Sequence, residues 1–160
     1  MKGGPRRAWR GGEHITENMS NSVFRFKRFA VEQSGAAMKV GMDGVLLGAW
    51  AMVEPSQKRF LDIGAGTGVI ALMLAQRASD ITAAGVSVDA VEVDEGSARQ
   101  AEENFAASPW RNMVKVYGMS VQEFCREHAG ERYDHIVSNP PWFVSSLRSP
   151  DGGRTRARHT

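Results

Sequence analysis

RFLDIGAGTGVIALMLAQRA, residues 59 to 78, joins two apolar patterns of different period through a turn built on glycine. RFLDIG is short and apolar, as a buried strand is, while TGVIALMLAQRA keeps apolar residues at helical spacing for long enough to be a buried helix. Gly64, Gly66 and Gly68 allow the sharp reversal between them and a close approach of main chain to a ligand. A strand handing over to a helix in this way places the positive end of the helix at the carboxyl edge of a sheet, where small molecules bind.

The alternation continues downstream. VSVDAVEVD reads as a second strand, SARQAEENFAA as a helix burying Ala98, Ala101 and Phe105, and NMVKVYG as a third strand. SVQEFCREH is a short helix opened by the capping box Ser120-x-x-Glu123, and YDHIVS is a fourth strand. Strand and helix in strict turn imply right-handed crossovers and a parallel sheet covered on both faces, an α/β doubly wound, Rossmann-like fold. Upstream, VFRFKRF (23–29) alternates like a strand with one wet face. In MKVGMDGVLLGAWA (38–51) Asp43 is expected to cap a helix whose buried stripe is Val45, Leu46, Leu47 and Trp50. Residues 1–22, rich in Gly, Arg, Asn and Ser without period, read as a disordered basic leader before one domain over 23–160.

Composition narrows the function classes. With 42% hydrophobic and 24% charged residues the chain is neither of disordered nor of membrane type, and no apolar run approaches the roughly 18 residues of a membrane span. MKGGPRRAWRGG has no apolar stretch behind its basic residues, so a secretory route is not expected, and Asn18-Met19-Ser20 reads as a chance triplet. One cysteine, Cys125, excludes an internal disulfide and a cysteine-built metal site, which points to a reducing, cytoplasmic setting. Beside Phe124 in a helix, Cys125 is expected to be buried. His14, His128, His135 and His159 share no spacing that suggests a metal or a triad, and no metal is expected. Residues 1–30 hold seven Lys/Arg against two acids, and residues 144–160 four Arg against Asp151, so basic ends flank an acidic centre. That suits a polyanionic partner, or else two solvated tails.

The loop LDIGAGTG, 61 to 68, is G-x-G-x-G where a dinucleotide fingerprint needs G-x-G-x-x-G, and it lacks the Lys-Ser/Thr ending of a phosphate loop. Asp62 ahead of the turn suits a cationic amine, as at the methionine end of S-adenosyl-L-methionine, with Gly64, Ala65, Gly66 and Gly68 supplying main chain. AVEVD puts Glu92 at the same edge, able to take both ribose hydroxyls, while Asp94 stands where a helix N-cap is wanted. The other reading of the loop is a tight turn without ligand. SNPPW, 138 to 142, ends the fourth strand with Pro140 and Pro141, which leave the ladder and hold a stiff extended backbone. By itself it is equally a strand terminator with Trp142 packed on the core.

Taken in this order, LDIGAGTG, VEVD and SNPPW resemble the class I S-adenosylmethionine-dependent methyltransferases whose NPP-aromatic motif methylates a planar nitrogen. MKVGMDGVLLGAWA and the closing ARHT are similar to the tRNA1(Val) adenine-N6 methyltransferase family, which acts on adenine 37, and the resemblance runs over about residues 23–160. It implies S-adenosyl-L-methionine as cofactor, tRNA as partner, and a sheet of order 3-2-1-4 counted from RFLDIG. It also implies that the Asn139 oxygen and the Pro140 carbonyl accept the two amine hydrogens, that the prolines hold that carbonyl, and that Trp142 stacks on the base. Ser120 stands where many relatives carry an Asp for the cofactor adenine, or else is only the N-cap of its helix; Lys39 could reach the cofactor carboxylate or RNA, or else is a solvated lysine before a helix; and Arg154, Arg156, Arg158 and His159 fall to RNA. Departures are Met42 for the commoner Thr, Trp142 for Tyr, and length, since the family fold continues for several strands. The chain is therefore expected to carry the N-terminal part of the fold, with the apolar fourth strand left at an open edge. Two other readings stay open: a methyltransferase for a protein glutamine or an rRNA guanine, and a non-catalytic cofactor- or RNA-binding remnant.

Overall fold

The computed structural model describes residues 22–82 and 84–141. Trp142, Arg154, Arg156, Arg158, His159 and residues 1–21 of the expected leader lie outside the described residues.

The chain opens with an antiparallel hairpin, β1 (Val23–Arg25) and β2 (Ala30–Glu32), with Phe24 opposite Val31. The expected single strand over 23–29 is therefore shorter. At Phe26 the chain turns, its N–H donating to the Phe29 carbonyl at 2.9 Å, and the two rings stack 4.4 Å apart. Helix α1 (Met42–Trp50) follows, then β3 (Arg59–Ile63), α2 (Val69–Ile81), β4 (Ser87–Val91), α3 (Glu95–Ala107), β5 (Val114–Tyr117), α4 (Val121–Glu127) and β6 (His135–Ser138). The four later strands form one parallel sheet in the order β5-β4-β3-β6. This is the order 3-2-1-4 expected from the resemblance. Winding runs from β3 outward through β4 to β5 and then returns to the other side of β3, which sets the switch point at the carboxyl ends of β3 and β6.

Period-two alternation in β3 feeds two cores. Phe60 packs with Leu72, Leu74 and Ala75 of α2 and with Ala101 and Phe105 of α3, while Leu61 packs with Val91 and Phe124 of α4. Ala98, Ala101 and Phe105 are buried as their spacing predicts. β6 is the edge of the described sheet: Val137 is buried and Ile136 is 56% exposed.

Helix α1 departs from its sequence reading. Its N-cap is Gly41, without a side-chain bond, and Asp43 lies inside the first turn. Leu46 and Trp50 are exposed, the latter by 88%, as is Met42, and the buried residues are Gly44 and Gly48. The cause is close helix packing: a Cβ at Gly48 would stand 2.6 Å from Met73 Sδ of α2. Of the expected stripe, Val45 and Leu47 are half-buried, Leu47 against the core, while the close approach through glycine leaves Leu46 and Trp50 outside. Cys125 is likewise exposed, because the seven residues of α4, about two turns, bury Phe124 alone.

Candidate active site

The loop after β3 is tied to the next strand by its own main chain. The N–H groups of Gly64 and Ala65 both donate to the Val91 carbonyl, at 2.8 and 3.1 Å. Gly64, Gly66 and Gly68 all have positive φ, at 73°, 55° and 80°. Their surroundings differ. A Cβ at Gly64 or Gly66 would meet nothing within 4 Å, whereas one at Gly68 would stand 2.4 Å from the Phe105 ring. Gly64 and Gly66 therefore face open space, and Gly68, outside the cavity lining, serves the packing of α3 beneath the loop.

Glu92 is buried and its carboxylate is pinned from both sides. Oε2 accepts the Gly66 N–H and Oε1 the Asp94 N–H, each at 2.8 Å. Asp94 accepts the Ser97 N–H at 2.9 Å and caps α3. The division of labour expected for these two acids, one facing the edge and one capping, is the observed one in geometry. Ser120 caps α4 through the expected reciprocal box with Glu123 and also lines the cavity.

Asp62 is placed otherwise than expected. It is fully buried behind the loop, absent from the cavity lining, with Oδ2 accepting the Ala71 N–H at 3.1 Å and Oδ1 without a partner. Burial pushes its pKa up to about 7, against the pull of the Ala71 N–H and with help from the Glu92 charge. The acid that lines the cavity near the start of the chain is Asp43.

At the end of β6, Ser138 Oγ donates to the Ile63 carbonyl at 2.9 Å, fixing the strand end to β3. Asn139 Nδ2 then donates to Asp43 Oδ2 at 3.1 Å. That bond, followed by one from the Gly44 N–H, holds the Asp43 carboxyl below the ordinary carboxylate range. Asn139, Pro140 and Pro141 share one cavity of about 350 Å³ with Gly64, Ala65, Gly66, Glu92, Ser120 and Lys39. Residues predicted from five separate stretches thus meet at one place.

The far wall was not legible as such. Residues 38–41 line the cavity because the segment after β2 is strapped to α3 by side chains. Asn104 accepts the Glu32 N–H and donates to the carbonyls of Glu32 and Thr67, at 2.8 to 2.9 Å. Gln100 accepts the Gly35 N–H at 2.9 Å and Ser97 Oγ the Ala37 N–H at 3.1 Å. All three are buried. The available signal was the spacing of Ser97, Gln100 and Asn104, a polar stripe beside the apolar 98/101/105 stripe; amides carry both donor and acceptor and so suit main chain.

An open parallel sheet with a glycine loop, a pinned acid on the second strand and an Asn-Pro-Pro end on the fourth defines the class. The chain matches the family described as methyltransferase small domain over residues 43–150, and it belongs to that family. More particularly, it is 51% identical over 142 residues to a tRNA1(Val) (adenine(37)-N6)-methyltransferase of Parabacteroides distasonis, covering 89% of this chain and 56% of the relative. A protein of the same name from Serratia proteamaculans is 51% identical over 137 residues, 86% of this chain and 50% of its own length. The chain thus spans about half the length of the curated relatives it matches. Among solved structures, the SAM-dependent methyltransferase from Agrobacterium tumefaciens shares the fold at a TM-score of 0.58 and 18% identity, over 74% of this chain and 39% of that one. A transferase from Pyrococcus horikoshii does so at 0.52 and 19%, over 64% and 37%.

Proposed function

We propose that this chain binds S-adenosyl-L-methionine and directs methyl transfer to the exocyclic N6 of an adenine in tRNA, adenine 37 by analogy with the named relatives. The observation that carries the reading is the shared cavity: the Asn139-Pro140-Pro141 end of β6 opens into the same space as Glu92 and the glycine loop. The residues fit the cofactor. Each Glu92 oxygen accepts one main-chain N–H and retains a lone pair for a ribose hydroxyl, and the open Cβ positions of Gly64 and Gly66 leave room for a ligand against the backbone. Oδ1 of Asp62, behind the loop, has no donor from the protein, so acceptor capacity is left over beside the cavity wall. Ser120 and Lys39 would border the adenine and carboxylate ends.

When bound, the cofactor supplies an electrophilic methyl on a sulfonium. The chain's task is to hold a poor nucleophile, since the lone pair of an adenine amine is delocalised into the ring. Asn139 Oδ1 and the Pro140 carbonyl accept the two amine hydrogens and orient the nitrogen. Pro140 and Pro141 fix that carbonyl by their locked φ, so positioning rather than a strong base provides the rate. Trp142, next in sequence, supplies a stacking face worth about 1–3 kcal/mol for an extruded base, and Arg154, Arg156, Arg158 and His159 would meet RNA phosphates. On this reading 23–160 forms the methyltransferase domain behind a basic leader over 1–22, and the protein works on tRNA in the cytoplasm. No described helix is long and apolar enough to cross a membrane.

The test uses the protein expressed from its own gene, labelled cofactor and tRNA lacking modification, with nucleosides read by mass spectrometry. N6-methyladenosine at position 37 is expected. Label on guanine or on a glutamine of a co-incubated protein would replace the substrate, and absence of cofactor binding by calorimetry would overturn the reading altogether.

A further inference from the structure

We propose that Asp43 is a positioning residue, which locks the Asn139 amide in the one of its two flat orientations that can receive an amine hydrogen. A carboxylate has acceptors only, so the edge of the amide turned toward Asp43 must be the NH2 edge, and the 3.1 Å contact from Nδ2 to Oδ2 records it. Oδ1 is thereby left on the opposite edge. A flip by half a turn has nearly the same shape and would set the amide NH2 against the substrate NH2, donor against donor. Among the described residues Asp43 makes the only hydrogen bond to the Asn139 side chain, so this contact alone selects between the two states.

The framework around the pair is rigid on both sides. Asp43 sits in the first turn of α1, whose carboxyl end is held by Arg77 Nη1 on the carbonyls of Gly48 and Ala51, at 2.9 and 2.5 Å. The first turn of α1 lies close to the amide: a Cβ built at Gly44 would stand 3.6 Å from Asn139 Nδ2, an ordinary van der Waals contact. On the other side Ser138 is paired with Ile63 and Pro140 follows. Asp43 is in no ion pair among the described residues, so its acceptor oxygens are not drawn away by a cation. Asp43 and Asn139 are 96 residues apart in sequence, and only the packing of α1 beside β6 brings them together.

The inference rests on the reading of Asn139 as the amine acceptor, and its test separates the two. In solution the side-chain NH2 pair of Asn139, identified in a ¹⁵N spectrum by its loss in Asn139→Ala, should shift in Asp43→Ala more than any other side-chain amide. In turnover assays Asp43→Ala should lower kcat by about 10- to 100-fold with cofactor Kd within about twofold. In the Asn139→Ala background the same change should cost less than about twofold, because the amide it orients is gone. Asp43→Glu, which restores an acceptor, should recover part of the rate. An unmoved Asn139 signal, or fully additive rate losses, would overturn the proposal. So would a tenfold loss of cofactor affinity with normal kcat at saturation, which would make Asp43 a ligand of the cofactor ammonium. A wild-type protein that methylates a glutamine amide or a guanine amine defeats the adenine reading only. The same cycle is then run on that nitrogen, which needs the same acceptor.

Discussion

Two groups of acids lie at opposite ends of strand β3, on the sheet and on the segments beside it, and the protein treats them in opposite ways. Around Arg59 every carboxylate has a cation or a donor. Glu131 pairs with Arg59 and lies 2.7 Å from His128 Nδ1, Asp89 accepts the Tyr133 hydroxyl at 2.7 Å and lies 3.6 Å from Arg59, and the guanidinium sits 4.9 Å from the Tyr133 ring centre. His128 first and Arg59 second pull the Glu131 pKa down to about 2, while burial and then Asp89 push the Tyr133 hydroxyl above its ordinary value. At the carboxyl edge, Asp43, Asp62 and Glu92 enter no ion pair among the described residues and are held only by N–H groups, with one oxygen of Asp62 left over. A closed network ties β3 to the segment before β6. An open one keeps acceptor capacity, which is what a site that binds a polar, positively charged ligand must retain.

The sharpest way to break this comparison lies within one loop. Gly68→Ala combines an unfavourable left-handed φ with a clash against Phe105 and should cost about 3–5 kcal/mol of stability, read as a large loss of melting temperature. Gly66→Ala meets no neighbour and should cost only about 1–2 kcal/mol while losing cofactor affinity. Equal destabilisation by the two would erase the distinction between packing glycine and ligand glycine. Next in size, Asn139→Ala should lower the single-turnover rate by about 100-fold or more with cofactor binding kept. Near-normal turnover would remove Asn139 from the chemistry. Glu92→Ala should weaken cofactor binding by roughly 10- to 100-fold in calorimetry, run where the variant is folded, since two main-chain donors also lose their acceptor.

Smaller effects should separate the two acid groups by the sign of their pH dependence. Asp62 has a folded pKa near 7, above its unfolded value of 3.8, so the stability it contributes is full below about pH 4 and falls as pH rises to 7. Glu131, at about 2 against 4.5, behaves inversely: its contribution is full above about pH 4.5 and falls as pH drops toward 2. Difference curves of melting temperature against pH, wild type minus Asp62→Asn and wild type minus Glu131→Gln, should slope in opposite directions. Parallel curves would mean that burial and pairing do not divide the two groups. Least of all, Ser120→Ala should cost about 1 kcal/mol by removing the cap of α4, checked by chemical denaturation.

Whatever depends on neighbours along the chain was settled by the sequence alone. The alternation of strand and helix, the caps at Asp94 and Ser120, the 98/101/105 stripe and the glycine loop follow from spacing and local backbone chemistry, whereas the strand order came only from the family resemblance. The meeting of the loop, Glu92 and Asn139-Pro140-Pro141 was legible too, because consecutive parallel strands bring their carboxyl ends to one edge. Trp142 and the basic tail stay beyond the described residues. What only tertiary structure decided was which of several similar residues is inside. Asp62 went behind the wall and Asp43 into the cavity, Leu46 and Trp50 turned outward while Gly44 and Gly48 turned in, Cys125 stayed exposed, and Gly68 served Phe105 rather than a ligand. Each of these depends on how closely two segments far apart in sequence approach. Periodicity reports that a face will be buried; the partner's shape selects the face and the charge that survives there.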